Sequence, residues 1–543
     1  MPRPIPPLRR HLGRTVLGLS LATGLLAAPP AAPSARAEAL RIAIGGSVIS
    51  FDPHFYNAAP NSSASAHVFE RLIQRDAQGA MQPGLALSWK PVSETVWEIK
   101  LRPGVTWHDG VPFTADDVVF TLARVPEVPN SPGSFAAFVR GIRKVEAVDP
   151  LTLRIETPGP YPMLPSDLAS LFIVSRHAGE GAATEDYSSG KAAIGTGPYR
   201  FGLYRANDRA EFTRYDGWWG AKDPAWAQPW EAVSYRFIAS DGSRTAALLS
   251  GDVDVIDQVP SADLPRLRRD PKVRIAETQG QRVMYINFDR SRRAEVPFVT
   301  DNDGKPLPRN PFDDVRVRRA LSISINREAL AERVMEGTAS ATGQWLPPGS
   351  FGYEPSITVP KPDPEGARRR LREAGYPQGF RLTLHSPNDR YPGDARTAQA
   401  VAQMWTRIGV QTQVEALPWA GFAPRSAKQD FAARLAGWGS TSGDASSLLV
   451  GIIGTYDREK GTGASNAVRY SNPALDTLRD RALGTLDDGQ REALLREAVR
   501  MATDDTAFVP LFLLINSWAT RADLRYEPRR DEGTYAMQVH RAN

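Results

Sequence analysis

The chain has 543 residues, of which 41% are hydrophobic and 23% charged; this excludes a disordered protein and exceeds the usual length of one domain. It contains no cysteine, so disulfides, thiolate catalysis and a cysteine-borne lipid anchor are excluded as well. The formal charge of +5 does not point to nucleic acid, because five arginines and no acid precede Glu38, and without them 61 basic residues face 61 acidic ones.

Residues 1–37 read as a cleavable secretory signal: a basic start ending at Arg14, an apolar run over 16–28, and Ala35-Arg36-Ala37 as cleavage site. The run is shorter than the ~20 residues that span a bilayer. Arg9-Arg10 leaves a twin-arginine export route open beside ordinary secretion. Residues 39–44 then read as a strand and GGSVISFDPHFYN as a loop. Alternation over 96–101 predicts a strand, the turn at Arg102-Pro103-Gly104 folds it onto 105–107 as a hairpin, and Thr114 to Asp117 has capping-box spacing ahead of a helix. GTGPYR (195–200) opens a strand-rich stretch. A helix over 245–250 stops at Gly251, and strands follow over 253–256 and 281–288. Residues 289–311, rich in charge, glycine and proline, read as loop.

The C-terminal half is more regular. Helices are predicted over 315–325 and 327–336, the second capped by Asn326, and over 364–374, ended by Gly375. Strand 380–385, helix 394–408, strand 410–416, a short helix near 421–428 and strand 431–436 then alternate as an α/β series whose strands share one sheet. VPLFLLINSWA from Val509 reads as a buried strand.

In such sheets ligands collect at the carboxyl ends of the strands. The rule selects three loops: SPNDRYPGD with Arg390 and Tyr391, LPW with Trp419, and GWGSTSGD with Trp438, Gly439, Thr441, Ser442 and Asp444. An arginine fork, two indoles and a turn full of hydroxyls and N–H groups compose a small-molecule pocket. Blander readings stand beside it: Arg390 paired with Asp389 or Asp394 on the surface, and the two tryptophans as core filler. Six histidines after the signal are scattered without metal-ligand spacing, so neither a metal nor another cofactor is expected. The segment 439–443, GSTSG, puts Thr441 where a serine elbow would hold its nucleophile. Base and third partner are unassigned, so no catalytic residue is expected, and an exported hydrolase using this loop is the alternative.

Five blocks, QPGLALSW (82–89), VWEIKLRPGVTWHDGVPFTADDVVFTL (96–122), GTGPY (195–199), NPFDDVRVRRALSISINREAL (310–330) and PEGARRRLREAGYPQGF (364–380), resemble the family 5 extracellular solute-binding proteins of ABC importers. The resemblance implies an α/β, two-lobed periplasmic binding protein fold, type II-like and of cluster C with an extra subdomain, and a ligand cleft between lobes that closes about a hinge. On that template 1–37 is the signal peptide, 38–72, 195–282 and 518–543 form lobe I, 73–194 its extra subdomain, and 283–517 lobe II. It implies a monomeric periplasmic receptor whose partners are a small solute and ABC permease subunits, with no nucleic acid and no catalysis. Arg390 falls where dipeptide receptors place an arginine for the ligand carboxylate, and Trp419 and Trp438 resemble aromatic pocket walls of oligopeptide receptors. The aspartate that holds the peptide ammonium in those receptors is Thr441 here. Either Asp444 takes over, or the ligand lacks a free α-ammonium. Enclosing an ammonium without a charged partner is costly, which favours the second choice and a carboxylate- or phosphate-bearing, peptide-like or opine-like solute. A metal-chelate or haem receptor of the same fold is a further alternative.

Overall fold

Two long strands organise the molecule, whose computed structural model describes residues 38–223, 228–291, 295–440 and 442–542; the expected signal peptide and Thr441 lie outside the described residues. Val273–Phe288 and Val509–Arg521 pair antiparallel along most of their length, with register breaks between Gln279 and Val283 and between Met284 and Tyr285. The second strand is apolar from Val509 to Ile515 and buried along most of its length, as expected of a strand covered on both faces. Met284, Ile286, Phe288, Val509 and Phe512 sit in one apolar core, whereas Trp518 belongs to another, against which Ala276 packs. The pair therefore runs from one core into the other, and the α/β body is two-lobed.

Around this pair the described residues build a twelve-stranded sheet. On one side follow Ala433–Gly439, Phe380–Pro387 and Val299–Thr300; on the other Val255–Asp257, Ala39–Ile44, Ala232–Phe237, Arg209–Arg214 and Tyr199–Arg205. Val410–Leu417 joins Phe380–Pro387, and Ala339–Ala341 joins Val509–Arg521. The predicted C-terminal series is present, with Phe380–Pro387 parallel to both Val410–Leu417 and Ala433–Gly439. Gly409, at φ +102°, makes the turn between Asp394–Arg407 and the next strand. The helix expected over 327–336 is shorter: Arg327–Ala329 is α-helical, capped by Asn326 accepting the Ala329 N–H at 2.9 Å, and Leu330–Val334 widens into a π turn.

A four-stranded antiparallel sheet of Ala86–Ser93, Val96–Leu101, Thr152–Glu156 and Lys144–Asp149 has its own core, which includes Val118 and Leu122 of the helix Ala115–Arg124. That helix begins where the capping spacing placed it, with the Thr114 N–H donating to the Asp117 carboxylate at 2.9 Å. The hairpin expectation is corrected. Val96–Leu101 pairs with Ala86–Ser93 and Thr152–Glu156, not with 105–107. Trp107, fully buried, anchors a tight turn instead, its N–H bonded to the Val111 carbonyl at 2.8 Å.

This turn and the GTGPY motif clasp each other. The His108 N–H donates to the Gly195 carbonyl at 2.9 Å and the imidazole Nε2 lies 3.0 Å from the Gly197 carbonyl, while Gly197 and Tyr199 donate to the Val68 and His67 carbonyls at 2.9 and 3.0 Å. Two sequence blocks nearly a hundred residues apart thus form one joint against residues 67–68.

His67 beneath that joint is locked in one tautomer. Its Nδ1 lies 2.9 Å from the Ser63 carbonyl and so carries the proton, leaving Nε2 to accept the Ala536 N–H at 3.1 Å. A second proton would set N–H against N–H in a ring stacked on Phe212 at 4.8 Å, and burial lowers the pKa to about 4. As pH falls from the unfolded value of about 6.5 toward 4, the unfolded chain binds a proton that folded His67 refuses, so its contribution to stability is lost across that window. Proton–carbon NMR should show the His67 ring unchanged down to about pH 5; titration near 6.5 would contradict this packing.

Candidate functional site

A cavity of about 1250 Å³ opens among loops from both lobes. That exceeds the roughly 300–1,000 Å³ usual for small-molecule pockets. One wall includes Gly45, Tyr56, Glu70, Arg71 and Tyr535; the other includes Asp389, Arg390, Trp419, Gly439 and Ser440.

The Arg390 wall is built from the carboxyl ends of parallel strands. Asp394, first residue of its helix, accepts the N–H groups of Arg390, Tyr391 and Ala395 at 3.2, 3.1 and 2.8 Å. Asp389 accepts the Trp419 N–H at 2.7 Å. Both acids that could have neutralised Arg390 are thus committed to backbone, and among the described residues its guanidinium has no ion-pair partner. It lies instead over the rings of Tyr391 and Trp419, 5.2 and 5.4 Å from their centroids. Trp419 is 37% exposed and stacks on Phe422 at 5.8 Å, which leaves an indole face toward the cavity.

The other expected site residues are placed differently. Tyr391 is buried behind the wall, its hydroxyl donating to the Gly437 carbonyl at 3.2 Å. Strand alternation turns Trp438 away from Gly437 and Gly439: its indole N–H donates to Ser447 at 3.0 Å and its ring packs on the core that holds Leu448. Trp438 is therefore a core residue and does not line the cavity. Gly439 lines it, and a Cβ there would approach the Arg282 guanidinium to 3.2 Å. Ser442 donates to Asp444 at 2.8 Å rather than facing the cavity. Asp444 is buried; it accepts from the Ser446 N–H and hydroxyl at 3.0 and 2.5 Å and pairs with Arg491 at 3.4 Å. Asp444 does not line the cavity, and its carboxylate is engaged by Ser442, Ser446 and Arg491. Thr441 falls outside the described residues.

The facing wall was not selected from sequence. Glu70, 4% exposed, accepts the indole N–H groups of Trp218 and Trp219 at 2.9 to 3.2 Å, and burial still raises its pKa to about 7. Arg282, on the long strand, reaches Glu532 at 3.0 and 3.2 Å, which holds the last stretch of chain against the cleft. The loop after Ala39–Ile44 obeys the same strand-end rule as the other three and was legible as a candidate. The contributions of Arg282 and 527–538 had no local signal.

A two-lobed α/β body with strand-end loops around a large polar cleft defines a periplasmic-type binding protein. The model described as bacterial extracellular solute-binding proteins, family 5 Middle, matches residues 80–459, and the chain belongs to that family of ABC-importer receptors. Heme-binding protein A of Haemophilus influenzae is 27% identical over 83% of this chain and 82% of its own length. The dipeptide-binding protein of Escherichia coli is 26% identical over 96% and 95%. The solved structure of HbpA2 from Haemophilus parasuis has the same fold, with a TM-score of 0.78 at 24% identity, covering 93% of this chain and 100% of that one.

Proposed function

We propose that this protein is an exported, monomeric receptor that captures an anionic, peptide-like or opine-like solute in the cleft and delivers it to the permease subunits of its ABC importer, without making or breaking a bond. The observation that carries this reading is Arg390: a guanidinium framed by two aromatic rings, on the cleft wall, with both neighbouring carboxylates occupied by backbone N–H groups. A solute carboxylate or phosphate supplies the missing partner in fork geometry. Asp444, engaged with Arg491 and Ser446, does not serve an ammonium at the Gly439 loop, which supports a solute that presents none there. Export is supported by the signal-like first 37 residues, and among the described residues no helix is long and apolar enough to cross a membrane.

Release and identification of the molecule carried by the purified protein tests this. An acidic small solute supports the reading. A neutral or cationic one overturns it, and turnover of a generic ester would favour the hydrolase alternative.

A further inference from the structure

On the wall facing Arg390, Arg71 follows Glu70 and forms an isolated backbone bridge to Phe172. Its guanidinium lies over the Phe172 ring, 3.8 Å from the centroid, and both residues line the cavity. The Nε atom is buried with no hydrogen-bond partner among the described residues. No carboxylate forms an ion pair with Arg71 among them either.

The acid whose field reaches Arg71, Asp531, is already taken. Arg529 holds it with both arms of its fork, Nε and Nη2 at 3.0 and 2.8 Å, and the Gly533 N–H donates to it at 3.0 Å. Arg529 also lies over the ring of Tyr535, 4.9 Å from its centroid, with Tyr535 standing next to Arg71. Arg75, the next cation along the wall, is held by the Gly79 carbonyl and the Ser166 hydroxyl at 3.0 and 2.7 Å, again without an ion-pair partner among the described residues. Arg282 and Arg529 are thus neutralised in place by Glu532 and Asp531, and Arg71 and Arg75 are not. Burial also lowers the pKa of Arg71, as expected of a desolvated cation that lacks a counter-charge. Arg71 is half-buried and shares a hydrogen bond with the Tyr535 hydroxyl, but a largely desolvated guanidinium without an ion pair is expensive to keep, and the cavity it faces is where an anionic partner can arrive.

We propose that Arg71, backed by Phe172 and flanked by Tyr535, is a second anion-binding subsite, and that the solute carries two acidic groups, one for Arg390 and one for Arg71. This rests on the reading of the cleft as the solute site and narrows it from an anionic solute to a di-acid. The second group is a carboxylate or phosphate, since both match the planar fork of arginine.

The test uses matched pairs of small ligands without a free ammonium that differ only in whether a distal group is an acid or its amide: N-acetyl-glutamyl against N-acetyl-glutaminyl dipeptides, and N-succinyl against N-succinamoyl amino acids. Affinities of the purified protein are measured by calorimetry for wild type, Arg71→Gln, Arg71→Lys and Arg390→Ala, with circular dichroism as a folding check. The expected result is that wild type prefers the di-acid at least tenfold. Arg71→Gln should erase that preference while holding the mono-acid within about twofold, and Arg71→Lys, which keeps the charge but loses the fork, should retain part of it. Arg390→Ala should weaken both members of a pair. Equal affinity of wild type for both members overturns the second subsite, and if Arg390→Ala still weakens both, the first reading stands alone. Weakening of both members alike by Arg71→Gln also overturns it. If wild type binds neither member of any pair, both readings fall. Should Arg71→Gln not fold, the wild-type comparison and Arg71→Lys decide.

Discussion

Replacing Arg390 by alanine should weaken binding of the acidic solute by more than tenfold, or about 1.4 kcal/mol, with the fold unchanged. The Arg390 guanidinium is on the surface of the wall and, among the described residues, is anchored by stacking on Tyr391 and Trp419, so its removal leaves no buried carboxylate without a partner. The loss appears only when the cleft holds an anion, where a charge-assisted bond is removed and the solute's charge is left uncompensated. Calorimetry on the released solute, run beside denaturant unfolding of the free protein, separates the two. An unchanged affinity removes Arg390 from the site. Arg390→Lys should fall between, since an ammonium keeps the charge but not the two-armed geometry.

Replacing Gly195 by alanine should destabilise the whole receptor by about 3 kcal/mol or more, at or beyond the upper end of ordinary overpacking. A Cβ at this position would fall on the Val68 carbonyl oxygen and 2.5 Å from its carbon. That carbonyl cannot move aside freely, because it accepts the Gly197 N–H at 2.9 Å, and Gly195 itself is held by His108. Gly104→Ala is the matched control. Its Cβ meets nothing within 4 Å, and the cost is confined to its positive φ of 74°, about 1–2 kcal/mol. Only Gly104 carries the positive-φ cost, so the difference in urea midpoint between the two variants sets a lower bound on the clash. A Gly195→Ala protein as stable as Gly104→Ala would show that the Val68 carbonyl yields at this joint.

These two positions also mark what the sequence could reveal. The GTGPY and WHDG blocks stand out as family text, yet only the fold gives their reason: two glycines let one segment lie directly on the backbone of residues 67–68 while His108 ties it down. The α/β series from Phe380 to Gly439 was readable because local periodicity and the stop at Gly409 agree along it. The strand-end rule then led to Arg390, Trp419 and Gly439, all of which line the cavity. It failed for Trp438, because strand alternation decides which of two neighbours faces the cleft and composition does not. Of the two alternatives left for Asp444, its engagement agrees with the one favoured from sequence: a short acid just before a helical segment is claimed first by that segment's own N–H and hydroxyl groups. Apart from the loop after Ala39–Ile44, the facing wall was out of reach. Arg529 donates to the Arg75 carbonyl across 454 residues of chain, and no pattern in either segment announces that contact. The hairpin at 96–107 failed because alternation fixes that a segment is a strand without fixing its partner.

Native mass spectrometry of the purified mature protein, followed by release of whatever it carries, tests the central claim most directly. The expected result is one small molecule per chain, bearing at least one acidic group, that the Arg390→Ala protein fails to retain. A retained molecule with no acidic group, or one held equally by wild type and Arg390→Ala, would contradict the assignment of this cleft to an anionic solute.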